Sequence, residues 1–171
     1  MVTPTFDSVL AELPPSLRAI PYAESTGLRR LIFRAVSPAG QCFGSTMVIA
    51  DGLWEEAKRG ANTWAFRATV RHETRHYHQS HGWRLPFFVL GYLLFPLPIG
   101  FSFRALFELG GYRESLRCYE DELIARGSWS MSAVQREAER LAGYFRARWY
   151  GWMGWLLPTR LWVWALMKGL P

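Results

Sequence analysis

The chain has 171 residues, a length at which one domain can bury a sizeable core without disulfides or metals. Half of the residues are apolar, which excludes a disordered protein. The net charge is +6, but no run of basic residues is longer than two, and this scatter argues against a nucleic-acid partner.

The N-terminal part of the sequence predicts one short helix and a small sheet. We expect a helix over residues 6–13 and a Pro-rich loop up to residue 27. Two apolar runs, 31–36 and 42–50, flank the turn sequence Ser-Pro-Ala-Gly and predict an antiparallel hairpin. Helical patterns dominate the rest, so we predict an α+β fold that is predominantly helical, with a small antiparallel sheet placed before the helices.

Helical patterns begin after residue 51. A short helix is predicted over 53–59, closed by Gly60, and a longer one from residue 62 or 63 to about Ser80. The uncharged stretch 85–103 is interrupted by Pro96 and Pro98, so we expect a buried helix over 86–95 followed by a loop.

Two further helices are predicted in the C-terminal half. One runs from Arg104 to Arg126 and is closed by Gly127. The next begins with a capping box formed by Ser132 and Gln135. Its apolar positions recur at helical spacing and predict a face toward the core: Val134, Ala138, Leu141, Phe145 and Trp149.

All four histidines lie within ten residues, at 72, 76, 78 and 81. The segment from His72 to His76 reads HExxH, and residues four apart share one face of a helix. These two imidazoles can therefore bind one metal ion, and Glu73 can reach a metal-bound water without being a ligand. Zinc would lower the pKa of that water, and Glu73 would take its proton as the water attacks a carbonyl.

The third ligand is not expected to be a histidine. Residue 82, where the metzincin pattern has its third histidine, is glycine. His78 points about 200° round the helix from His76, and His81 is one residue out of position. We expect both to be neighbours of the site.

Glu108 is the favoured third ligand. It lies 32 residues after His76, beyond a Pro-rich connection that allows an antiparallel return, and Gly110–Gly111 would let the two helices approach closely. Glu120 and Glu122 remain alternatives, although with Asp121 they look like a solvated charge cluster near a helix end.

The arrangement resembles the gluzincin zinc metallopeptidases, and most closely compact HExxHxxQ domains of bacterial and phage origin. The matching residues are His72, Glu73, His76 and Gln79, followed by Arg104, Glu108 and Tyr112 at a spacing of four. The resemblance implies a zincin-like fold in which His72, His76 and Glu108 bind zinc (Zn2+) and Glu73 is the general base. Arg75 departs from the pattern, because this position is usually uncharged, and it suggests a shallow open groove or a carboxylate partner.

The predicted function is zinc-dependent hydrolysis of a peptide or other amide, with a peptide or protein as substrate. The reaction needs a donor for the developing oxyanion. Tyr112, one turn beyond Glu108, is the first choice, and Tyr119 and Arg113 are the alternatives.

Two other interpretations stay open. Zinc could merely join two helices of a structural or assembly protein, such as a component of a phage tail. In this interpretation, as in the enzyme, residues 1–148 form the metal-binding domain. The Trp-rich element 149–171 packs on that domain or on a partner protein. The third interpretation is a membrane-associated peptidase with 85–103 and 149–167 at a lipid surface, which the prolines and Arg160 oppose.

The N-terminus predicts cytoplasmic synthesis. Residues 1–13 contain Asp7 and Glu12 and lack a basic segment before an apolar run, so we expect no signal peptide. Association with a virion, or release by another route, is compatible with this expectation.

Overall fold

The computed structural model describes residues 3–27, 39–81, 98–145 and 158–168. Within these ranges the strands are β1 (Arg18–Pro21), β2 (Gly40–Phe43) and β3 (Thr46–Ile49). The helices are α1 (Phe6–Ala11), α2 (Asp51–Lys58), α3 (Thr63–Ser80), α4 (Pro98–Ala125), α5 (Met131–Tyr144) and α6 (Thr159–Met167), with a 3₁₀ turn at Tyr22–Glu24. The predicted α+β class, predominantly helical, is confirmed.

The sheet has the order β1-β3-β2 and is mixed. β2 and β3 are antiparallel, whereas β1 runs parallel to β3, so that Ile20 lies opposite Val48. The prediction of one strand over 42–50 was wrong, because the chain reverses after Phe43, where Gly44 adopts a φ of +59°. The segment 18–21, expected in a loop, is a strand, and the predicted strand 31–36 lies outside the described residues.

The helix that carries the HExxH motif has the predicted length, from Thr63 to Ser80. α4 begins at Pro98 rather than at residue 104, so the expected loop before it is already helical. Proline is compatible with the first turn of a helix, where its missing N–H would have no helical partner. α5 is capped by Ser130, not Ser132: the Ser130 hydroxyl accepts the N–H of Ala133. The predicted helix 86–95 lies outside the described residues.

Two separate hydrophobic cores stand on either side of the contact between α3 and α4. The first is built from α1, β3, α2 and α3, with Val9, Met47, Ile49, Trp54, Phe66 and Val70 among its members. The second is built from α4, α5 and α6, and includes Leu109, Leu116, Val134, Leu141, Phe145, Trp162 and Leu166. Of the described elements, α3 and α4 pack together most extensively, so their contact joins the two cores.

The C-terminal helix α6 packs on the rest of the domain. The ring of Trp162 stacks on Phe145, with the centroids 4.3 Å apart, and the Arg113 guanidinium donates to the carbonyl of Ala165 at 2.8 Å. Trp164 is left 62% exposed. Among the described residues, no helix combines the length and apolar character needed to cross a membrane.

Candidate metal centre

The helix α3 brings the two motif histidines together on one face. His72 and His76 are one turn apart, with ring centroids separated by 4.8 Å and their Nε2 atoms by 3.1 Å. This proximity follows from the sequence spacing alone, because residues i and i+4 lie above one another on a helix.

Glu108 completes the group from α4. Its Oε2 atom lies 3.2 Å from Nε2 of His72 and 3.3 Å from Nε2 of His76. Zinc ligands at about 2.0–2.1 Å in tetrahedral geometry are separated from one another by about 3.3 Å. The three donor atoms therefore form a triangle of the size that one metal ion requires, and the group could hold a metal.

Two glycines of α4 allow this approach. A Cβ atom built on Gly111 would lie 2.7 Å from three atoms of the His72 ring, which is closer than van der Waals contact permits. A Cβ on Gly110 would lie 3.0 Å from Nε2 of Gln79 and 3.2 Å from Nε of Arg75. The expectation that Gly110–Gly111 permits close helix contact is thus confirmed.

The pKa shifts within the group show that its carboxylate favours a positive charge close to it. Burial by itself would lower the pKa of His76, but the adjacent Glu108 carboxylate raises it to about 9. Burial would raise the pKa of Glu108, but His76 and His72 hold it well below its usual range. A proton on His76 thus supplies the positive charge, and a metal ion would take the place of that proton.

Glu73 is a buried carboxylate beside the group. It is 7% exposed, and its carboxylate accepts the backbone N–H of Cys42 in strand β2. Burial raises the pKa of Glu73, while His76 and His72 act against that shift. Gly40 in the same strand makes room for the helix, because a Cβ there would lie 3.3 Å from Cγ of Glu73.

Tyr112 contacts a predicted metal ligand. Its ring packs edge to face on His72, with centroids 4.9 Å apart, and also contacts Tyr144 and Phe145. Of the alternative oxyanion donors, Tyr119 packs against Trp64, and Arg113 is bonded to the backbone of α6. Of the three candidate donors, Tyr112 is therefore the one found in contact with the His72–His76–Glu108 group.

The acidic residues near the end of α4 are not the solvated cluster that the sequence suggested. Glu120 is buried and accepts the indole N–H of Trp129 at 3.1 Å. Glu122 is also buried and pairs with Arg126 at 2.6 Å. Both have partners of their own, and neither belongs to the metal-binding group found among the described residues.

Asp121 instead belongs to an ion network that holds α3 between α1 and α4. The Glu12 carboxylate, just after α1, accepts Nε of both Arg67 and Arg71 at 2.8 Å. The same two guanidinium groups lie 3.5 and 3.9 Å from Asp121. One member, Arg71, directly precedes His72. The sequence did not predict this network, because its members are far apart along the chain.

The remaining motif residues lie at the periphery. His78 and His81 are exposed, and His81 packs on Tyr77 with ring centroids 3.8 Å apart. Arg75 is exposed as well and lies over Gly110. Within the described part of the chain no carboxylate is paired with it.

Two contacts of the site were missed at the level of sequence. The first is the β2 strand, whose Gly40 and Cys42 lie against Glu73. The second is Gln79, which reaches both His76 and the backbone of α4. The hydrogen bond between Gln79 and His76 could have been predicted, because residues three apart are neighbours on a helix.

Comparison with protein-family models, with curated proteins and with solved structures gives no match for this chain. The resemblance to gluzincins therefore rests on the motif residues and stays a prediction.

Proposed function

We propose that this protein is a zinc-dependent hydrolase that cleaves a peptide or other amide bond, with Glu73 as its general base. The observation that carries the proposal is the triangle of His72, His76 and Glu108 donor atoms, 3.1–3.3 Å on a side, with a separate buried carboxylate next to it. Two imidazoles and one carboxylate leave a tetrahedral ion one position for water or substrate, as catalytic zinc sites require.

The donor types favour zinc over magnesium and calcium. Two neutral imidazole nitrogens with one carboxylate oxygen suit Zn²⁺, whereas Mg²⁺ and Ca²⁺ prefer oxygen ligands throughout. A zinc ion bound here would lower the pKa of a coordinated water toward neutrality and polarise the carbonyl of the substrate.

Glu73 supplies the proton transfer. Because burial raises its pKa, its carboxylate is a better proton acceptor than an exposed glutamate. It would take a proton as the water oxygen bonds to the carbonyl carbon. It would return that proton to the amine nitrogen as the C–N bond breaks. Tyr112, whose ring packs on His72, would donate a hydrogen bond from its hydroxyl group to the carbonyl oxygen, where negative charge develops.

The test is Glu73→Gln in zinc-loaded protein, assayed with fluorescein-labelled casein and a quenched-fluorescence peptide library. Gln keeps the shape of the side chain but cannot accept the proton. We expect zinc content to stay the same and hydrolysis to fall at least about 100-fold. Glu114→Gln, which changes a carboxylate on the outer part of α4, is the control and should keep full activity. Full activity in Glu73→Gln would overturn the proposal.

A second candidate is a structural zinc site in an assembly protein. It is favoured by one observation: the three ligand side chains are only 9–12% exposed and link the helices of two separate cores. Acetohydroxamate added to cobalt-substituted protein distinguishes the two candidates. A changed visible spectrum indicates an exchangeable position at the metal and supports the enzyme, whereas an unchanged spectrum together with no hydrolysis supports the structural protein.

A further inference from the structure

We propose that Gln79 is a positioning residue that sets which nitrogen of His76 binds the metal and ties this ligand to the helix that carries Glu108. The inference rests on the metal binding that is part of the proposed function, and it does not depend on hydrolysis. The spacing HExxHxxQ by itself assigns no role to the glutamine.

The first observation is a pair of hydrogen bonds made by one side chain. The Oε1 atom of Gln79 lies 2.9 Å from Nδ1 of His76. Its Nε2 atom donates to the backbone carbonyl of Phe107 at 3.2 Å. Phe107 directly precedes Glu108, so this amide connects one ligand of the group with the backbone next to another.

The second observation determines the orientation of the amide. The carbonyl of Phe107 can only accept a hydrogen bond, so the NH₂ end of Gln79 has to face it. The oxygen end must then face His76, and an oxygen can only accept. The Nδ1 atom of His76 therefore carries a hydrogen, which leaves Nε2 as the nitrogen that can bind a metal.

The third observation is the space that α4 leaves for this amide. A Cβ atom at Gly110 would lie 3.0 Å from Nε2 of Gln79, tighter than ordinary contact. The two glycines of α4 thus serve different partners: Gly111 admits the ring of His72, and Gly110 admits the side chain of Gln79. The backbone of α4 therefore leaves space both for the ligand His72 and for Gln79, which orients the ligand His76.

The test compares Gln79→Leu and Gln79→Glu by zinc affinity, measured by competition with a chromogenic chelator. Leu fills similar space but makes neither hydrogen bond, and we expect zinc affinity to fall 10- to 100-fold. Glu keeps an acceptor for Nδ1 of His76 but loses the donor to the Phe107 carbonyl, so we expect a smaller loss, of about three- to tenfold. Gln135→Leu, a glutamine on α5 that bonds to Glu139, is the matched control and should leave affinity unchanged.

NMR of the parent protein provides a second test, which does not depend on the folding of a variant. Long-range ¹H–¹⁵N NMR of the zinc-loaded parent protein should show His76 bound through Nε2, with a hydrogen-bonded proton on Nδ1. Binding through Nδ1, or a Gln79→Leu protein with parental affinity, would overturn the inference. So would equal losses in Leu and Glu, which a purely structural role would cause. Failure of the parent protein to bind zinc would instead reject the proposed function.

Discussion

The Oε2 atom of Glu108 lies 3.2 Å from Nε2 of His72, although the two residues are 36 positions apart in the chain. Gly111, three residues after Glu108, is what permits this distance, because the ring of His72 occupies the space that a Cβ would fill. The contact joins a helix of one hydrophobic core to a helix of the other. A metal ion bound there would therefore influence the stability of the whole domain.

Replacing Glu108 with Ala is expected to abolish tight zinc binding, because two imidazoles alone do not complete the ligand set. We expect a loss of at least about 100-fold in affinity, measured by chelator competition and by metal analysis of the purified protein. Glu114→Ala, in the same helix, is the control and should bind zinc like the parent. Undiminished zinc in Glu108→Ala would reject this residue as the third ligand.

Replacing Gly111 with Ala should push the His72 ring out of place, since the new Cβ would meet three of its atoms at 2.7 Å. We expect the free energy of unfolding of the metal-free protein to fall by about 1–3 kcal/mol, with zinc affinity reduced at least about tenfold.

The matched control for this substitution is Gly143→Ala. Gly143 is also helical, and no atom of the described residues lies within 4 Å of the place that a Cβ would occupy there. The change should stabilise the protein by about 0.5–1 kcal/mol in urea unfolding. Equal effects of the two substitutions would contradict the close approach of α4 to His72.

The stability of the metal-free protein should fall as the pH rises from 6.5 to 9. The pKa of His76 is raised from 6.5 to about 9 in the folded state by Glu108, so its contribution is complete below pH 6.5 and disappears as the pH passes through 9. We expect a decrease on the order of 1–3 kcal/mol in urea unfolding with chelator present. The lowered pKa of Glu108 acts in the other direction: its contribution is present above pH 4.5 and disappears in acid.

The control for this titration is His76→Leu, whose unfolding free energy should change less between pH 6.5 and 9. Zinc-loaded parent protein should also lack the decrease, because the metal replaces the proton on His76. A decrease of the same size in all three samples would show that His76 is not its source.

Replacing Trp162 with Ala should destabilise the domain by about 3–5 kcal/mol, because this ring is 4% exposed and stacks on Phe145. Trp164→Ala is the matched control two residues away. Its ring is 62% exposed, so the change in unfolding free energy should stay within about 0.5 kcal/mol. Similar thermal melts for the two variants would mean that α6 does not belong to the core.

Local features of this protein could be predicted from the sequence because they depend on residues close together in the chain. The pairing of His72 with His76 follows from helical periodicity, and the length of α3 follows from its flanking residues. The buried stripe of α5 was predicted for the same reason and is confirmed for Val134, Ala138, Leu141 and Phe145, whereas Trp149 lies outside the described residues. Glu108 could be singled out because the glycines after it indicated a close approach to another helix.

Other features depend on contacts between distant segments, and only the tertiary structure decided them. β1 forms a strand because β3 offers it a parallel edge, which its Pro-rich sequence does not indicate. Glu120 and Glu122 are buried because Trp129 and Arg126 provide partners for their charges. The bond from Gln79 to the Phe107 carbonyl likewise exists only once α3 and α4 are packed. Periodicity in the sequence predicts which residues share a face of a helix. The residues that this face contacts are determined by the packing of segments that are distant in the chain, here α3 against α4.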